Sequence, residues 1–263
     1  MIIHNKAPDG TLMTPRQSDI VDLAHDLGRV NVEDLAQHFS VTPQTIRKDL
    51  NELCESGVLQ RVHGGATLST RVSNVGYGSR RTTAAGEKRR IGLKASSLIP
   101  NNCSLFINIG TTTEQVAISL INKKNILAIT NNINVVNILL GSPGVEVIVA
   151  SGVVRHTDGG VIGESASDFI RQFMVDFAII GVSGIGQDGS LLDFDYREVK
   201  IAQAIIENSR HTILVADSMK FERTAPVRMG HISQIDTFVT DRPLPPALAR
   251  ICKDNDVSVT LTD

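Results

Sequence analysis

The sequence predicts an α/β protein in two unlike parts, an N-terminal winged helix-turn-helix followed by a mostly parallel α/β domain. Three observations predict it. Residues 13–69 hold three short helical patterns and then two apolar runs joined through Gly64-Gly65. Residues 70–86 have no periodic apolar face and are rich in Ser, Gly, Thr and Arg, which reads as a linker. Residues 87–263 alternate short apolar runs with helical stretches, as strands joined by crossover helices do. Residues 1–12 are mixed and polar, carry the turn Pro8-Asp9-Gly10, and read as a loose tail.

The first helix is expected at Pro15–Leu27. Thr14 can cap it, Pro15 suits its first turn, Ile20, Leu23, Ala24 and Leu27 share one face, and Gly28 stops it. The second, Val32–Phe39, turns Leu35, Ala36 and Phe39 inward, with Asn31 as its cap and Glu33 and Asp34 at its positive end. The third begins at Pro43 behind Thr42 and runs to about Ser56, with Gly57 as its break and Ile46, Leu50 and Leu53 inward. Val58–Val62, the turn at His63-Gly64-Gly65, and Ala66–Leu68 then spell a hairpin.

With Ile46, Leu50 and Leu53 turned inward, the opposite face of the third helix carries Gln44, Thr45, Arg47, Lys48 and Asn51. Hydrogen-bonding and cationic residues near the start of such a helix suit the base edges of a major groove. Arg47 has the fork for guanine and Gln44 the amide for adenine, while Lys48 suits a phosphate. Thr42 stands at the helix entrance. Arg61 and His63 sit on the wing beside Gly64 and Gly65, where a bare backbone approaches a phosphate or a minor groove closely. A solvated helix face would explain any one of these residues; cap, face and wing together point to double-stranded DNA. Reading paired half-sites needs at least two heads, so self-association is expected.

In the second part, strands are expected at Ser104–Ile109, Ile126–Thr130, Val145–Ala150, Phe177–Val182, Thr212–Ala216, Asp236–Thr240 and Val257–Leu261. Helices are expected at Thr112–Ile121, Asn132–Leu140, Glu164–Phe173, Arg197–Asn208 and Pro246–Lys253. Ile107-Asn108-Ile109-Gly110-Thr111-Thr112-Thr113 crosses from a strand end into a helix, which aims free N–H groups and a helix dipole at an anion. Gly110 permits close approach and Thr111 and Thr112 add hydroxyls. Ile129-Thr130-Asn131-Asn132 repeats the arrangement. Each alone is an ordinary capped helix start. Two such ends at the carboxyl edge of a parallel sheet suit a small phosphorylated sugar or polyol.

Composition agrees. Up to residue 95 there are 13 Lys and Arg against 10 Asp and Glu, and beyond it 13 against 18, so any contact with nucleic acid belongs to the front of the chain. The 3 cysteines, Cys54, Cys103 and Cys252, lack metal spacing and suit a reducing compartment. No apolar run is long enough to span a membrane and no leader pattern opens the chain, so a cytoplasmic protein is expected. No HExxH, paired CxxC or nucleophile elbow appears, and neither a metal nor a cofactor is expected.

The segments Val41-Thr42-Pro43-Gln44-Thr45-Ile46-Arg47-Lys48-Asp49-Leu50 and Arg61-Val62-His63-Gly64-Gly65-Ala66, at this separation, resemble the signature of DeoR-type transcription regulators. The family usually has Ser where this chain has Thr42, a conservative exchange at a cap. The resemblance covers essentially the whole chain. It implies a repressor, with Asp49 bonding within the motif instead of reading bases. It also implies an effector domain similar in fold to the sugar-phosphate isomerases. Asp158–Glu164, Gly189–Tyr196 and Ile205–His211 look most like the members that answer to glycerol 3-phosphate. That likeness implies glycerol 3-phosphate as the inducer, with Gly110, Thr111 and Thr112 on its phosphate. By position, Asn131, Glu198 and Lys220 are further pocket candidates. Asn108 stands where the family commonly has Asp, Ser151-Gly152 replaces a Gly-Gly pair, and Met219 replaces a Ser.

The isomerase-like fold also admits an enzyme with an accessory head. Proton transfer would need a positioned carboxylate base and an acid near the bound carbonyl. Glu198, Asp193 and Asp195 are available, yet no spacing marks them as a catalytic set, and no catalytic residue is expected. A third reading is a winged module that serves a protein partner, since fold alone does not decide function.

Overall fold

The computed structural model describes residues 13–27, 29–62, 64–68, 77–221 and 223–262. The expected tail, His63 and residues 70–76 of the expected linker lie outside the described residues. The chain divides into two compact units, residues 1–83 and 84–263.

The first unit runs α1 (Pro15–Leu27), β1 (Arg29–Asn31), α2 (Val32–His38), α3 (Pro43–Glu55), β2 (Leu59–Val62), β3 (Gly65–Leu68) and α4 (Tyr77–Thr82). Each of the first three helices begins on a polar cap. Thr14 and Gln17 form a reciprocal pair, the Gln17 N–H donating to Thr14 Oγ1 at 3.2 Å and the Thr14 N–H to Gln17 Oε1 at 2.9 Å. The Asn31 side chain accepts from the Asp34 N–H at 2.8 Å, and Thr42 Oγ1 from the Thr45 N–H at 3.3 Å. Ile20, Ala24, Leu35, Ile46, Leu50, Leu53, Leu59 and Ala66 close one core. Burying each large aliphatic side chain of that kind contributes about 1.5–3 kcal/mol.

Two features here differ from the sequence reading. β1 was not expected; three residues between two helices are too few for a periodic signal, yet they pair antiparallel with β3 and give a sheet of order β1-β3-β2. The stretch expected as a linker also contains α4, and the next helix begins before residue 87.

The second unit runs α5 (Ala85–Ser97), β4 (Cys103–Ile107), α6 (Thr111–Ser119), β5 (Ile126–Thr130), α7 (Ile133–Leu139), β6 (Val145–Val149), β7 (Val153–Val154), β8 (Val161–Ile162), α8 (Glu164–Ile170), β9 (Val175–Ile180), β10 (Gly184–Ile185), β11 (Ser190–Asp193), α9 (Tyr196–Glu207), β12 (Ser209–Val215), β13 (Val227–His231), β14 (Thr237–Thr240), α10 (Pro246–Asp254) and β15 (Ser258–Leu261). Seven strands form one sheet of order β15-β14-β12-β9-β4-β5-β6, parallel throughout. The period of two along β4 separates its faces. Leu105 and Ile107 enter a core with α5, α6 and α7, while Phe106 enters another with α8, α9 and α10. The fold is therefore α/β with helices on both faces of a parallel sheet. β7 pairs with β8, and β10-β11-β13 form a small antiparallel sheet. None of these short strands was expected.

Candidate functional site

On α3 the inward residues Ile46, Leu50 and Leu53 are buried, and Gln44, Arg47, Lys48 and Asn51 are exposed. Arg47 keeps about half its side chain in solvent (52%), and its Nη2 lies 3.9 Å from Glu33 Oε1. Lys48 lies 4.0 Å from Glu52. Exposed pairs at such distances contribute little and separate readily. Thr45 is half-buried, and its hydroxyl lies 2.9 Å from that of Thr42, so both threonines hold the helix start. Asp49 is buried, and Arg16 of α1 donates to it from Nε at 2.6 Å and from Nη2 at 3.3 Å. That bond fixes the rotation of α3 against α1.

On the wing, Arg61 and Gly64 are exposed, and Gly64 has φ of 75°, a left-handed turn that favours glycine. Gly65 has another duty. It is buried in β3, where a Cβ would lie 2.0 Å from the Val30 carbonyl oxygen. Its bare backbone faces β1 and serves packing.

In the second unit, β4 lies between β5 and β9, where the order of the sheet reverses. Past β4 the backbone turns through Gly110, at φ 151°, into α6. Thr113 Oγ1 donates to the carbonyls of Asn108 at 2.7 Å and Gly110 at 2.8 Å, and the buried Asn108 accepts from the Ile109 N–H at 2.7 Å. These bonds set the loop, and the first turn of α6 opens at Thr111 and Thr112, where helix N–H groups lack an intrahelical acceptor. At the end of β5, Asn131 is fully buried. Its Nδ2 donates to the Val161 carbonyl at 3.2 Å, and its Oδ1 has no partner among the described residues.

Arg155, which the sequence reading did not single out, organises the neighbouring ground. Its fork donates to both oxygens of Asp158 at 2.8 and 2.7 Å, to Asp195 at 2.9 Å and to Glu198 at 2.7 Å. A chain of amides ties this cluster to α6: Asn134 Nδ2 donates to the Asp158 carbonyl at 2.8 Å and to Glu114 Oε1 at 3.1 Å, and Asn132 Nδ2 donates to the same oxygen at 3.2 Å. Gly160, beside Asp158, packs on Ile109 so closely that a Cβ would fall 2.6 Å from Ile109 Cδ1.

Glu198 is therefore no helix-surface charge. Burial pushes its carboxyl up to about 7, with Asp193 adding to the rise and Arg155 opposing it. The Arg197 hydrogen bond holds Asp195 down to about 2 against its own burial. Burial opposes the charge on Arg155, but its bond to Asp158 and the field of Glu198 outweigh that and keep it protonated. The structure thus brings Gly110, Thr111, Thr112 and Asn131 to adjacent strand ends and links Glu198 to them through Arg155. Lys220 stands half-buried on the 3-10 turn Ser218–Phe221 after β12, two strands along the same edge.

A cavity of about 660 Å³ opens at the opposite, amino edge of the sheet, between Ser104, Gly144, Glu146 and Asp176. Its lining includes no Lys or Arg, so it does not suit a phosphate. Among the described residues no group of His, Cys, Asp and Glu could hold a metal ion, and no helix is long and apolar enough to cross a membrane.

Two family models match the chain: the DeoR-like helix-turn-helix domain over residues 16–72 and the DeoR C terminal sensor domain over residues 83–242. The glycerol-3-phosphate regulon repressor of Escherichia coli (strain K12) is 48% identical over 248 residues, 94% of this chain and 98% of its own. That of Haemophilus influenzae (strain ATCC 51907 / DSM 11121 / KW20 / Rd) is 41% identical over 94% of this chain and 96% of its own. The HTH-type transcriptional repressor CsqR of Escherichia coli (strain K12) is 34% identical over 94% and 95%. Among solved structures, ribose 5-phosphate isomerase from Plasmodium falciparum aligns at a TM-score of 0.38 and 16% identity, over 51% of this chain and 52% of that one.

Proposed function

The chain belongs to the DeoR family of transcriptional regulators, and on that premise we propose that it is a repressor that leaves its operator when a small phosphorylated polyol, glycerol 3-phosphate, fills the sensor. The observation that carries the DNA half is the division of α3, with Ile46 buried and Gln44, Arg47, Lys48 and Asn51 exposed on the other side. In this reading Arg47 and Gln44 read bases, Lys48 and Arg61 neutralise phosphates, and the backbone at Gly64 lies against the duplex. Two or more copies act together, because paired half-sites need paired heads. A target on the chromosome puts the protein in the cytoplasm.

The effector half rests on the α6 start and the orphaned Asn131 Oδ1, with 48% identity to a glycerol-3-phosphate regulon repressor supporting the choice of ligand. The phosphate binds the N–H groups at Gly110–Thr112, and linkage does the rest: whichever sensor state holds the ligand better is enriched, and the heads lose their operator register. The carboxylates that an isomerase reading would use are engaged, Glu198 by Arg155, Asp195 by Arg155 and Arg197, and Asp193 by Ser183, which supports a binding role. Titrating glycerol 3-phosphate into the complex with operator DNA tests the proposal. Release at concentrations where inorganic phosphate has no effect is expected, and retention of DNA at saturating ligand would overturn it.

A further inference from the structure

The basic excess at the front of the chain does not belong to the helix-turn-helix. Residues 13–69 hold 5 Lys and Arg against 8 Asp and Glu, whereas residues 70–94 hold 7 against 1. Within the acidic head Arg16 is bonded to Asp49, Arg47 has Glu33 at 3.9 Å and Lys48 has Glu52 at 4.0 Å. Neutralising phosphates and releasing their counterions supplies much of the affinity for DNA, so an acidic head needs cations from elsewhere.

The connecting segment presents them. In the first unit Thr83 Oγ1 donates to the Glu55 carbonyl at 3.4 Å, which ties the end of the connector to the C-terminal end of α3. Two residues earlier Arg81 is exposed at the end of α4, its guanidinium 5.9 Å from the centre of the Tyr77 ring. In the second unit α5 offers Arg89 and Arg90 to solvent while Ile91, Gly92 and Ala95 are buried. Gly92 meets α6 so closely that a Cβ would fall 2.6 Å from the Gln115 carbonyl oxygen, so these two arginines stand on a fixed base. Arg90 has Glu87, the one acid of the segment, at 3.5 Å; Arg81 and Arg89 have no ion pair among the described residues. The elements packed most closely on α5 are α6, β12 and β14, and their one acid, Glu114, is buried and bonded to Asn132 and Asn134.

We propose that this segment is a second DNA contact, in which Arg81, Arg89 and Arg90 each neutralise a phosphate of the operator duplex outside the bases that α3 reads. The inference rests on the operator reading above. Charge complementarity chooses the partner: cations with a single acid among them suit a polyanion, and the neighbouring head engages one. Such contacts hold the protein on the duplex and carry no sequence information.

The triple variant Arg81→Gln, Arg89→Gln, Arg90→Gln tests it, with binding of the full chain to DNA followed by fluorescence anisotropy over a range of salt. The slope of log K against log salt should fall by about two to three, at about 0.9 per phosphate, on operator and random duplex alike. At about 0.1 M salt the loss of affinity should be about tenfold or more. Trimming the duplex to the bases that α3 reads should weaken the unaltered chain in the same way and leave the glutamine variant nearly unmoved. Exchange of the same three for Lys keeps the charge and should keep the slope. Lys200, Arg250 and Lys253 are exposed on α9 and α10 of the second unit, and Lys200→Gln, Arg250→Gln, Lys253→Gln removes equal charge there, so the slope should hold. Should the first variant fail to fold, the trimmed duplex carries the test, and equal binding of the unaltered chain to trimmed and flanked operator overturns the proposal. So does a slope that the first variant leaves unmoved, or one that the second lowers just as far. An unaltered chain that binds no operator at all overturns the operator reading itself.

Discussion

Replacing Gly65 by Ala should dismantle the wing, whereas the same change at Gly64 should cost little. A Cβ on Gly65 would sit 2.0 Å from the Val30 oxygen and 2.8 Å from Asn31 Cα, both backbone atoms of β1 that no side-chain rotation can move. Ordinary contact begins at 3.4 Å, so β1 and β3 would have to part by roughly 1.4 Å. Their pairing spans Arg29↔Thr67, Val30↔Ala66 and Asn31↔Gly65. Overpacking costs about 1–3 kcal/mol and each weakened ladder bond about 1 kcal/mol, together roughly 3–5 kcal/mol. At Gly64 a Cβ meets nothing within 4 Å, and only the left-handed φ is penalised, at about 1–2 kcal/mol. Hydrogen exchange of the full chain, followed by mass spectrometry over residues 29–31 and 59–68, reads both. Protection should fall a hundredfold or more in Gly65→Ala and about tenfold in Gly64→Ala, at about 1.4 kcal/mol per decade. Equal losses, or a Gly65→Ala wing protected like the unaltered one, would refute the packing argument.

Arg47→Ala should weaken binding to operator by about 1–3 kcal/mol and to random duplex far less; equal losses would remove Arg47 from base reading. Lys48→Ala should weaken both alike and lower the slope of log K against log salt by about one. Thr111→Val keeps the shape of α6 but deletes a hydroxyl, so operator affinity should hold while glycerol 3-phosphate binds more weakly; unchanged calorimetric affinity would clear Thr111 from the site. Stability of the sensor should depend on pH through two groups of opposite sign. Glu198 is raised from 4.5 to about 7, so its contribution is complete below pH 4.5 and is lost as pH rises through 7. Asp195 is lowered from 3.8 to about 2, so its contribution is present above pH 3.8 and is lost as pH falls through 2. Urea unfolding should accordingly show a loss of up to about 3 kcal/mol between pH 5 and pH 8, at about 1.4 kcal/mol per unit, which Glu198→Gln abolishes. Identical curves for the two proteins would contradict the raised carboxyl.

What could be read from the sequence is what local chemistry writes. α1 begins at Pro15 and ends at Leu27 as expected, because its cap, proline and following glycine all lie within one or two residues of its ends. α3 likewise shows in its i, i+4, i+7 apolar spacing, and the sheet in runs such as Ile126–Thr130. What escaped depends on partners far along the chain. Arg155 meets Asp195 and Glu198 at separations of 40 and 43 residues, with no pattern between them. Gly65 read as a glycine for DNA, since nothing in its neighbours reveals that β1 will press against it. α4 carries Gly78, Ser79 and Thr82, which disfavour helix, so its formation is a product of context.

The place of the sensor crevice follows from topology. From β4 the chain crosses to β5 and then β6 through α6 and α7, on one face of the sheet; from β9 it crosses to β12 through α9, on the other. Right-handed crossovers require that division whenever the order of a parallel sheet reverses, and at the carboxyl ends of β4 and β9 the outgoing loops diverge. Gly110 stands on one side of that gap. Gly181 stands on the other, where a Cβ would lie 3.5 Å from Thr113 Cγ2. α9 starts on the β9 side and carries Glu198; the Arg155–Gly160 turn comes from the β6 side and packs on Ile109. Arg155 is the bond between the two. A ligand that changes the width of the gap must therefore stretch or remake contacts of 2.7–2.9 Å to buried carboxylates, which yield by switching between arrangements more readily than by bending.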